Sequence, residues 1–217
     1  MIQSRVNNLN DRLSRGEIIE FAKPTIILAS ASPRRAKKLT EHGIEFIQIK
    51  SPVDDSEINE QFPHEGINKR QQLKYVKKMA LAKLQPFIGK VKNGAVITCD
   101  TTALCDGRIL EKPVTKEKCR EQHEFISGKT AYTYNAMAVY WEPSGKTRCA
   151  VEIIKVKFKP LPAEVIEIIC NEPETLDCAG YRRAGALGAY VVNNAPLSNG
   201  ICMPLVLKML KKLGFKK

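Results

Sequence analysis

Short apolar runs alternate with longer segments of helical periodicity in the first half of the chain. The apolar runs 25–29, 44–49 and 95–98 predict strands, because they are short, continuous and bounded by turn residues. Apolar residues recur at three- and four-residue intervals over 33–41 and 69–84, which predicts helices. Strands that alternate with helices are typical of an α/β core.

The second half of the chain predicts longer strands and three more helices. In chain order these elements are helix 115–126, strand 131–141, strand 148–158, helix 162–170, strand 186–192 and helix 203–213. Pro143-Ser144-Gly145-Lys146 lies between the two long strands and indicates a hairpin turn. Gly214 is expected to end the last helix.

The composition is that of a globular protein: 217 residues, 43% of them apolar, can bury a full core. No apolar stretch reaches the length of a membrane span, and the N-terminus lacks the apolar core of a secretory signal. We therefore expect no membrane partner. Residues 25–217 are interpreted as a single domain, preceded by an extension over residues 1–24.

One helical stripe within this N-terminal extension is apolar, formed by Ile2, Val6, Leu9 and Leu13. Arginines lie off the stripe, as they do in a mitochondrial presequence, but Asp11 and Glu17 argue against one. An extra amphipathic helix packed on the body, or a frayed tail, is the favoured interpretation.

The seven cysteines show no Cys-x-x-Cys spacing, and their odd number leaves at least one of them unpaired within the chain. This pattern favours reduced thiols and a cytoplasmic location. Cys99 lies beside Asp100 at the end of a predicted strand, so we interpret it as a buried structural thiol rather than a nucleophile. His42, His64 and His123 share no metal-ligand spacing, so no structural zinc site is expected.

The formal net charge of +12 allows two functions of different class. A positive field could concentrate a small polyanion such as a nucleotide, or the surface could bind nucleic acid. The lysines are mixed with apolar helical positions, which is typical of solvated helix faces. Only 6% of residues are aromatic, and no zinc-finger spacing or RNA-binding aromatic strand is present, so we expect no specific nucleic-acid partner.

The most informative segment runs from Leu28 to Leu39, directly after the first predicted strand. Pro33 suits the first position of a helix, and Ser32 suits the N-cap. The helix amides and the guanidinium groups of Arg34 and Arg35 would then form an anion site. The alternative is a capped surface helix whose arginines are merely solvated.

A second segment, Val96 to Pro113, places Asp100 just beyond the predicted strand 95–98. Ligands of open α/β sheets gather at such strand ends. Asp106-Gly107 is a strong turn signal between two apolar runs. The alternative here is that Asp100 caps a turn and Lys112 faces water.

Together, the two segments resemble the signatures of the Maf-like nucleoside triphosphate pyrophosphatases: Leu-Ala-Ser-x-Ser-Pro-Arg-Arg, then Ala-Asp-Thr with an Asp-Gly hairpin and a Glu-Lys-Pro close. Weaker matches continue to the C-terminus, at 79–83, 125–129, 156–161, 171–173 and 178–180. The resemblance implies a two-lobed α/β fold with a long mixed sheet, flanking helices and an active-site cleft between the lobes. It also implies a house-cleaning hydrolase that cuts nucleoside triphosphates into monophosphate and pyrophosphate.

The resemblance further implies residue roles. Asp100 is the expected base or metal-linked carboxylate, and Asp54, Asp55 or Glu57 is its expected companion on Mg²⁺ or Mn²⁺. Lys83 and Lys112 are expected to be catalytic cations that clamp the triphosphate. The expected substrate ligands are Ser30, Ser32, Arg34, Arg35 and Thr101. Asp100-Thr101 and Ser-Pro-Arg-Arg favour dTTP, UTP or modified pyrimidine nucleotides as substrates, and the oligomeric state, a homodimer included, is left open.

Several departures from the family pattern leave alternatives open. Asp54-Asp55 stands where Asp-Glu is usual, which changes the expected metal geometry. Gly185 stands where the pyrimidine-cleaving members have glutamine, so a nucleotide-binding protein that has lost turnover is an alternative. The family's histidine and Thr-Gly are replaced by Ala131, Asn135 and Ala136. Besides the pyrophosphatase and the nucleotide-binding protein, a basic nucleic-acid-associated protein is the third hypothesis.

Overall fold

A six-stranded mixed sheet organises the chain. The computed structural model describes residues 9, 11–13, 15–53, 58 and 62–216. In chain order the strands are β1 (Ile19–Ala29), β2 (Ile47–Ile49), β3 (Val91–Cys105), β4 (Arg108–Leu110), β5 (Thr130–Trp141) and β6 (Lys146–Lys157). The strand order is β2-β1-β3-β5-β6, with β4 paired to β3. β1 runs parallel to β2 and β3, and the other pairings are antiparallel.

Within the part of the chain that the structure describes, five α-helices flank this sheet. They are α1 (Pro33–Glu41), α2 (Lys69–Leu84), α3 (Lys116–Ile126), α4 (Ala163–Asn171) and α5 (Met203–Leu213). Short 3₁₀ segments cover Gln85–Phe87, Glu142–Ser144 and Ala186–Tyr190. None of the described helices is both long enough and apolar enough to cross a membrane.

The core divides into three clusters that explain the two-lobed shape. Successive residues of β1 alternate between two of them, so α2 packs on one face of the sheet and α1 with α5 packs on the other. The third cluster lies at the far end of β3, where α3 and α4 cover the sheet. β3 therefore spans both lobes.

The cleft between the lobes follows from the pairing of β3. β5 pairs with β3 continuously from Ala95 to Cys105. On the other edge, β1 pairs only as far as Ile97, and β4 begins at Ala103. Residues 98–102 of β3 therefore pair with neither β1 nor β4 on this edge, and the sheet is open at its middle.

Most predicted elements are confirmed. The helices 33–41 and 69–84 have the predicted bounds, and Asn68 caps the second of them by accepting from the amides of Arg70 and Gln71. The Asp106-Gly107 hairpin forms, with both residues at positive φ as a tight two-residue turn requires. The 142–145 turn and the end of α5 at Gly214 are also confirmed. The mixed α/β fold with flanking helices is as expected.

The predicted strand 186–192 is wrong. Ala186–Tyr190 forms a 3₁₀ turn, and Val191 makes a single bridge to Phe158. The glycine spacing is the physical reason, because the amide of Gly188 turns back to the carbonyl of Gly185. The predicted strand 44–49 is shorter, since Ile44 still closes the end of α1 by donating to Leu39. In the N-terminal extension, Leu13 is buried and Leu9 packs on the core, whereas Ile2 and Val6 lie outside the described residues.

Candidate functional site

A cavity of about 900 Å³ occupies the cleft where β3 loses its β1 partner. The lining brings together every described residue predicted for the site: Ser30, Ser32, Arg34, Arg35, Lys83, Asp100, Thr101 and Lys112. Asp54, Asp55 and Glu57 lie outside the described residues, so the predicted second metal carboxylate stays a prediction.

Asp100 and Lys83 form the floor of this cavity. The Lys83 Nζ lies 2.7 Å from the Asp100 Oδ1, and the two side chains are only 15% and 10% exposed. Asp100 was expected just beyond a short strand, but it lies inside β3, because β5 pairs through this position to Ala136. What ends near Asp100 is the neighbouring strand β1, and this exposes the carboxylate to the cleft.

Two hydrogen bonds hold the floor in place. The hydroxyl of Thr98, on β3, donates to the Ala80 carbonyl on α2 at 2.7 Å. The Ser51 hydroxyl donates to the Lys83 carbonyl at 3.0 Å. The last turn of α2 is therefore tied to both strand and loop, so Lys83 reaches Asp100 from a rigid element.

The two adjacent arginines of α1 have different surroundings. Arg35 donates to the Ser30 hydroxyl at 3.1 Å, the Thr101 hydroxyl at 3.0 Å, and the carbonyls of Cys99 at 3.0 Å and Gly200 at 3.2 Å. Arg34 reaches the rim, where its guanidinium lies 3.7 Å from the Glu174 carboxylate. Arg35 is thus committed to protein acceptors, and Arg34 is held loosely.

Ser32 occupies the N-cap position of α1 but does not cap it with its side chain. Its amide instead donates to the Ser30 hydroxyl at 3.3 Å. The prediction of Ser32 at the N-cap is therefore confirmed for its position, although its hydroxyl makes no capping hydrogen bond. The Ser30 hydroxyl accepts from both the Ser32 amide and Arg35. Pro33 stands at the start of the helix, as predicted.

Asn135 extends the polar network under the cleft. Its Oδ1 accepts from the Thr101 hydroxyl at 3.0 Å, and its amide donates to the Ser198 hydroxyl at 2.7 Å and to Glu152 at 3.0 Å. Asn135 is buried, and β5 places it directly opposite Thr101. This departure from the family pattern thus connects Arg35, through Thr101, to the loop that carries Ser198.

The rim of the cleft carries ion pairs from the loop 172–183, some exposed and some half-buried. Lys112 Nζ lies 2.6 Å from the Asp177 carboxylate. Arg182 contacts both Glu172 at 3.2 Å and Glu174 at 3.1 Å. Sequence reasoning did not select these rim acids; the signal that could have found them was the run of three acids closely followed by Arg182 and Arg183.

Gly185 has a steric role at the position where the pyrimidine-cleaving pattern has glutamine. A Cβ at this residue would lie 2.0 Å from the Oε2 of Glu172. The Glu172 carboxylate fills this space while it accepts from the Ala186 amide at 2.6 Å. The missing side chain is therefore replaced in space by a carboxylate from another part of the chain.

Cys99 is a buried thiol, as predicted. It is 1% exposed, and burial raises its pKa to about 11. A thiol with this pKa remains protonated near neutral pH and is a poor nucleophile. All seven cysteines are free, in agreement with the expected reduced thiols.

One carboxylate marks the floor as the candidate position for a divalent cation. Carboxylate oxygens are the ligands that Mg²⁺ and Mn²⁺ prefer, and the floor supplies Asp100, whose Oδ1 is paired with Lys83. Asp100 is therefore the described residue that would hold such a cation.

Comparison with known proteins identifies relatives over most of the chain. The family model described as Maf-like protein matches residues 25–212. A dTTP/UTP pyrophosphatase of Dictyoglomus thermophilum is 31% identical, with 89% of this chain and 98% of the relative covered. A dTTP/UTP pyrophosphatase of Syntrophus aciditrophicus is 30% identical, over 87% and 90%. A 7-methyl-GTP pyrophosphatase of Nitrosococcus oceani is 29% identical, over 80% and 82%.

Proposed function

The chain belongs to the Maf-like family, and from this premise we propose that it hydrolyses nucleoside triphosphates to a nucleoside monophosphate and pyrophosphate. The observation that carries the proposal is the Asp100–Lys83 pair at the floor of a cleft whose wall is the N-terminus of α1. A carboxylate for water and cations for phosphates are the parts that this hydrolysis requires.

In the proposed reaction, Asp100 accepts a proton from a water molecule that attacks the α-phosphorus. The new bond joins the water oxygen to the α-phosphorus, and the bond from that phosphorus to the α–β bridging oxygen breaks. Lys83 holds the Asp100 carboxylate in place from the buried side. A divalent cation bound by Asp100 would supply charge neutralisation for the phosphate oxygens.

The remaining predicted residues bind and position. Arg34 and Lys112, on the rim, are proposed to bind the β- and γ-phosphates, because both line the cleft and their contacts to Glu174 and Asp177 are exposed. The amides at the start of α1 add donors for phosphate oxygens. Arg35 is proposed to position Ser30 and Thr101 for the substrate.

For the substrate base, we propose dTTP, UTP or a modified pyrimidine nucleotide. The Asp100-Thr101 and Ser32-Pro33-Arg34-Arg35 motifs support this choice. Two of the reported relatives carry the name dTTP/UTP pyrophosphatase. The Nitrosococcus relative is named for 7-methyl-GTP, so that nucleotide belongs in the test as well.

The test is a product assay on a panel of nucleoside triphosphates with Mg²⁺ or Mn²⁺. Pyrophosphate and monophosphate in equal amounts are expected, with dTTP and UTP as the best substrates. In water labelled with heavy oxygen, the label should enter the monophosphate, because attack is at the α-phosphorus. Release of inorganic phosphate alone would overturn the reaction type. Tight nucleotide binding without turnover would favour the alternative of a protein that has lost catalysis.

A further inference from the structure

A second cluster of chemically reactive side chains lies away from the cleft, between α3 and α4. Cys119 and His123 are one turn apart on α3, and Cys170 approaches them from the end of α4. Both sulfurs and one ring nitrogen of His123 lie within 4.8 Å of one another, and all three residues are buried. The described lining of the cleft includes none of them, so the cluster is separate from the proposed hydrolytic site.

The contacts of His123 show which ring nitrogen lies beside the Cys119 sulfur. Nδ1 lies 3.5 Å from the Cys119 Sγ and 2.7 Å from the Cys119 carbonyl oxygen; a carbonyl only accepts, so Nδ1 carries the proton. Nε2 is then the basic nitrogen, and it is buried without a hydrogen-bond partner among the described residues. A metal ion shared with the sulfurs would replace the donation from Nδ1 to the carbonyl, and the ring proton would move to Nε2.

The two sulfurs lie in direct contact with each other. The Sγ atoms of Cys119 and Cys170 are 2.8 Å apart, and burial raises the pKa of both thiols. Two neutral thiols in an apolar interior gain little from this contact. A metal ion shared between them would stabilise both sulfurs as thiolates and would release two protons.

We propose that Cys119, Cys170 and His123 bind a thiophilic divalent metal ion, with Zn²⁺ as the representative ion. Two thiolates and one imidazole are soft and borderline ligands, which select zinc over magnesium. Two thiolate charges cancel the charge of a divalent ion, so the complete site is neutral, as an apolar interior requires. The ion would separate the sulfurs to about 3.8 Å, since each Zn–S bond is about 2.3 Å long.

The position of the cluster indicates a structural role. The exposed pairs Arg120–Glu167 and Lys116–Asn171 join the same two helices beside it. Glu172, two residues after Cys170, anchors the rim loop through the Ala186 amide. An ion that joins α3 to α4 would therefore stabilise the second lobe and the start of the rim loop.

The experiment uses the full chain, purified under reducing conditions and stripped of metal with a chelator. Titration with Zn²⁺ is expected to load one ion per chain that survives dialysis, with a rise in the melting temperature. Co²⁺ in place of Zn²⁺ should produce a thiolate-to-cobalt charge-transfer absorption. Cys119→Ser, Cys170→Ser and His123→Gln should each weaken binding at least tenfold. Cys105→Ser, a buried thiol in the same core cluster, is the matched control and should bind as the parent does.

Two results would overturn the proposal. One is reduced, stripped protein that binds no stoichiometric Zn²⁺ and shows no cobalt–thiolate absorption. The other is a Cys119–Cys170 disulfide in protein purified without reductant, seen as an intact mass lower by two hydrogen atoms and as one linked peptide that contains both cysteines, together with no metal bound after reduction. If the serine variants do not fold, the stoichiometry and the cobalt spectrum of the parent chain still decide. Neither readout depends on hydrolysis, so the failure of this proposal is distinguishable from failure of the proposed function.

Discussion

The floor and the rim of the cleft contain the same kind of ion pair in different surroundings. Lys83 and Asp100 meet at 2.7 Å with side chains 15% and 10% exposed. Lys112 and Asp177 meet at 2.6 Å with side chains 56% and 71% exposed. A buried pair is held firmly because neither charge can return to water, whereas an exposed pair contributes little and exchanges readily. At nearly equal distances, the difference in burial therefore predicts different roles. The floor pair stays in place during the reaction, whereas at the rim a phosphate oxygen can replace the acid beside the cation.

The largest effect is expected from Asp100→Asn at the floor. The amide can neither accept the proton of the attacking water nor bind a divalent cation well, so kcat should fall by roughly a thousandfold or more. Steady-state hydrolysis of dTTP and UTP measures it, and circular dichroism checks the fold. Asp106→Asn, in the nearby hairpin turn, is the matched control and should retain parent activity. A loss below about threefold, roughly 0.7 kcal/mol of barrier, would exclude Asp100 as the base.

The next largest effect is a difference in the free energy of unfolding between variants of the floor pair and variants of the rim pair. Lys83→Met leaves the Asp100 carboxylate buried without its cation, which is expected to cost about 3 kcal/mol of unfolding free energy. Lys112→Met leaves the Asp177 carboxylate exposed to water, so it should cost less than about 1 kcal/mol. Urea denaturation of both variants at neutral pH gives the comparison. Equal losses would mean that burial does not distinguish the pairs.

The rim cations should contribute to substrate binding by a smaller factor. Arg34→Ala and Lys112→Ala are each expected to lower kcat/KM at least tenfold, about 1.4 kcal/mol, because each removes a contact to phosphate oxygens. Lys216→Ala, near the end of the chain and away from the cleft, controls for loss of general positive charge. If Lys216→Ala reduced kcat/KM as much as Arg34→Ala, the effect would be that of the whole basic surface.

The smallest effect concerns the acid on the rim. The Asp177 carboxylate accepts from Lys112 at the position that a phosphate oxygen of the substrate would take. Asp177→Asn should therefore remove a group that competes with the substrate for Lys112. We expect KM to fall about two- to threefold with kcat unchanged, a difference of less than about 0.7 kcal/mol. Initial rates over a range of substrate concentrations measure it. A rise in KM would mean that Asp177 positions Lys112 instead of competing for it.

Local signals in the sequence were sufficient for several elements. Pro33 predicted the start of α1, and helical periodicity predicted both bounds of α2. Asp106-Gly107 predicted a tight hairpin, because these residue types accept positive φ at low cost. The two motifs also predicted which residues line the cleft. The strand predicted over 186–192 failed, since apolar runs interrupted by glycine do not distinguish a strand from a 3₁₀ turn.

What the sequence by itself determined is therefore part of the residues that line the cleft and most of the elements that carry them, because caps, turns and periodicity act over a few residues. Only the tertiary structure decided what each residue contacts. Arg34 and Arg35 are neighbours in sequence, yet Arg35 donates to Gly200 from one distant loop and Arg34 donates to Asp177 from another. Cys119 and Cys170 are likewise brought together by two helices that are separated by two long strands. Such contacts depend on the path of the whole chain, which no local pattern encodes.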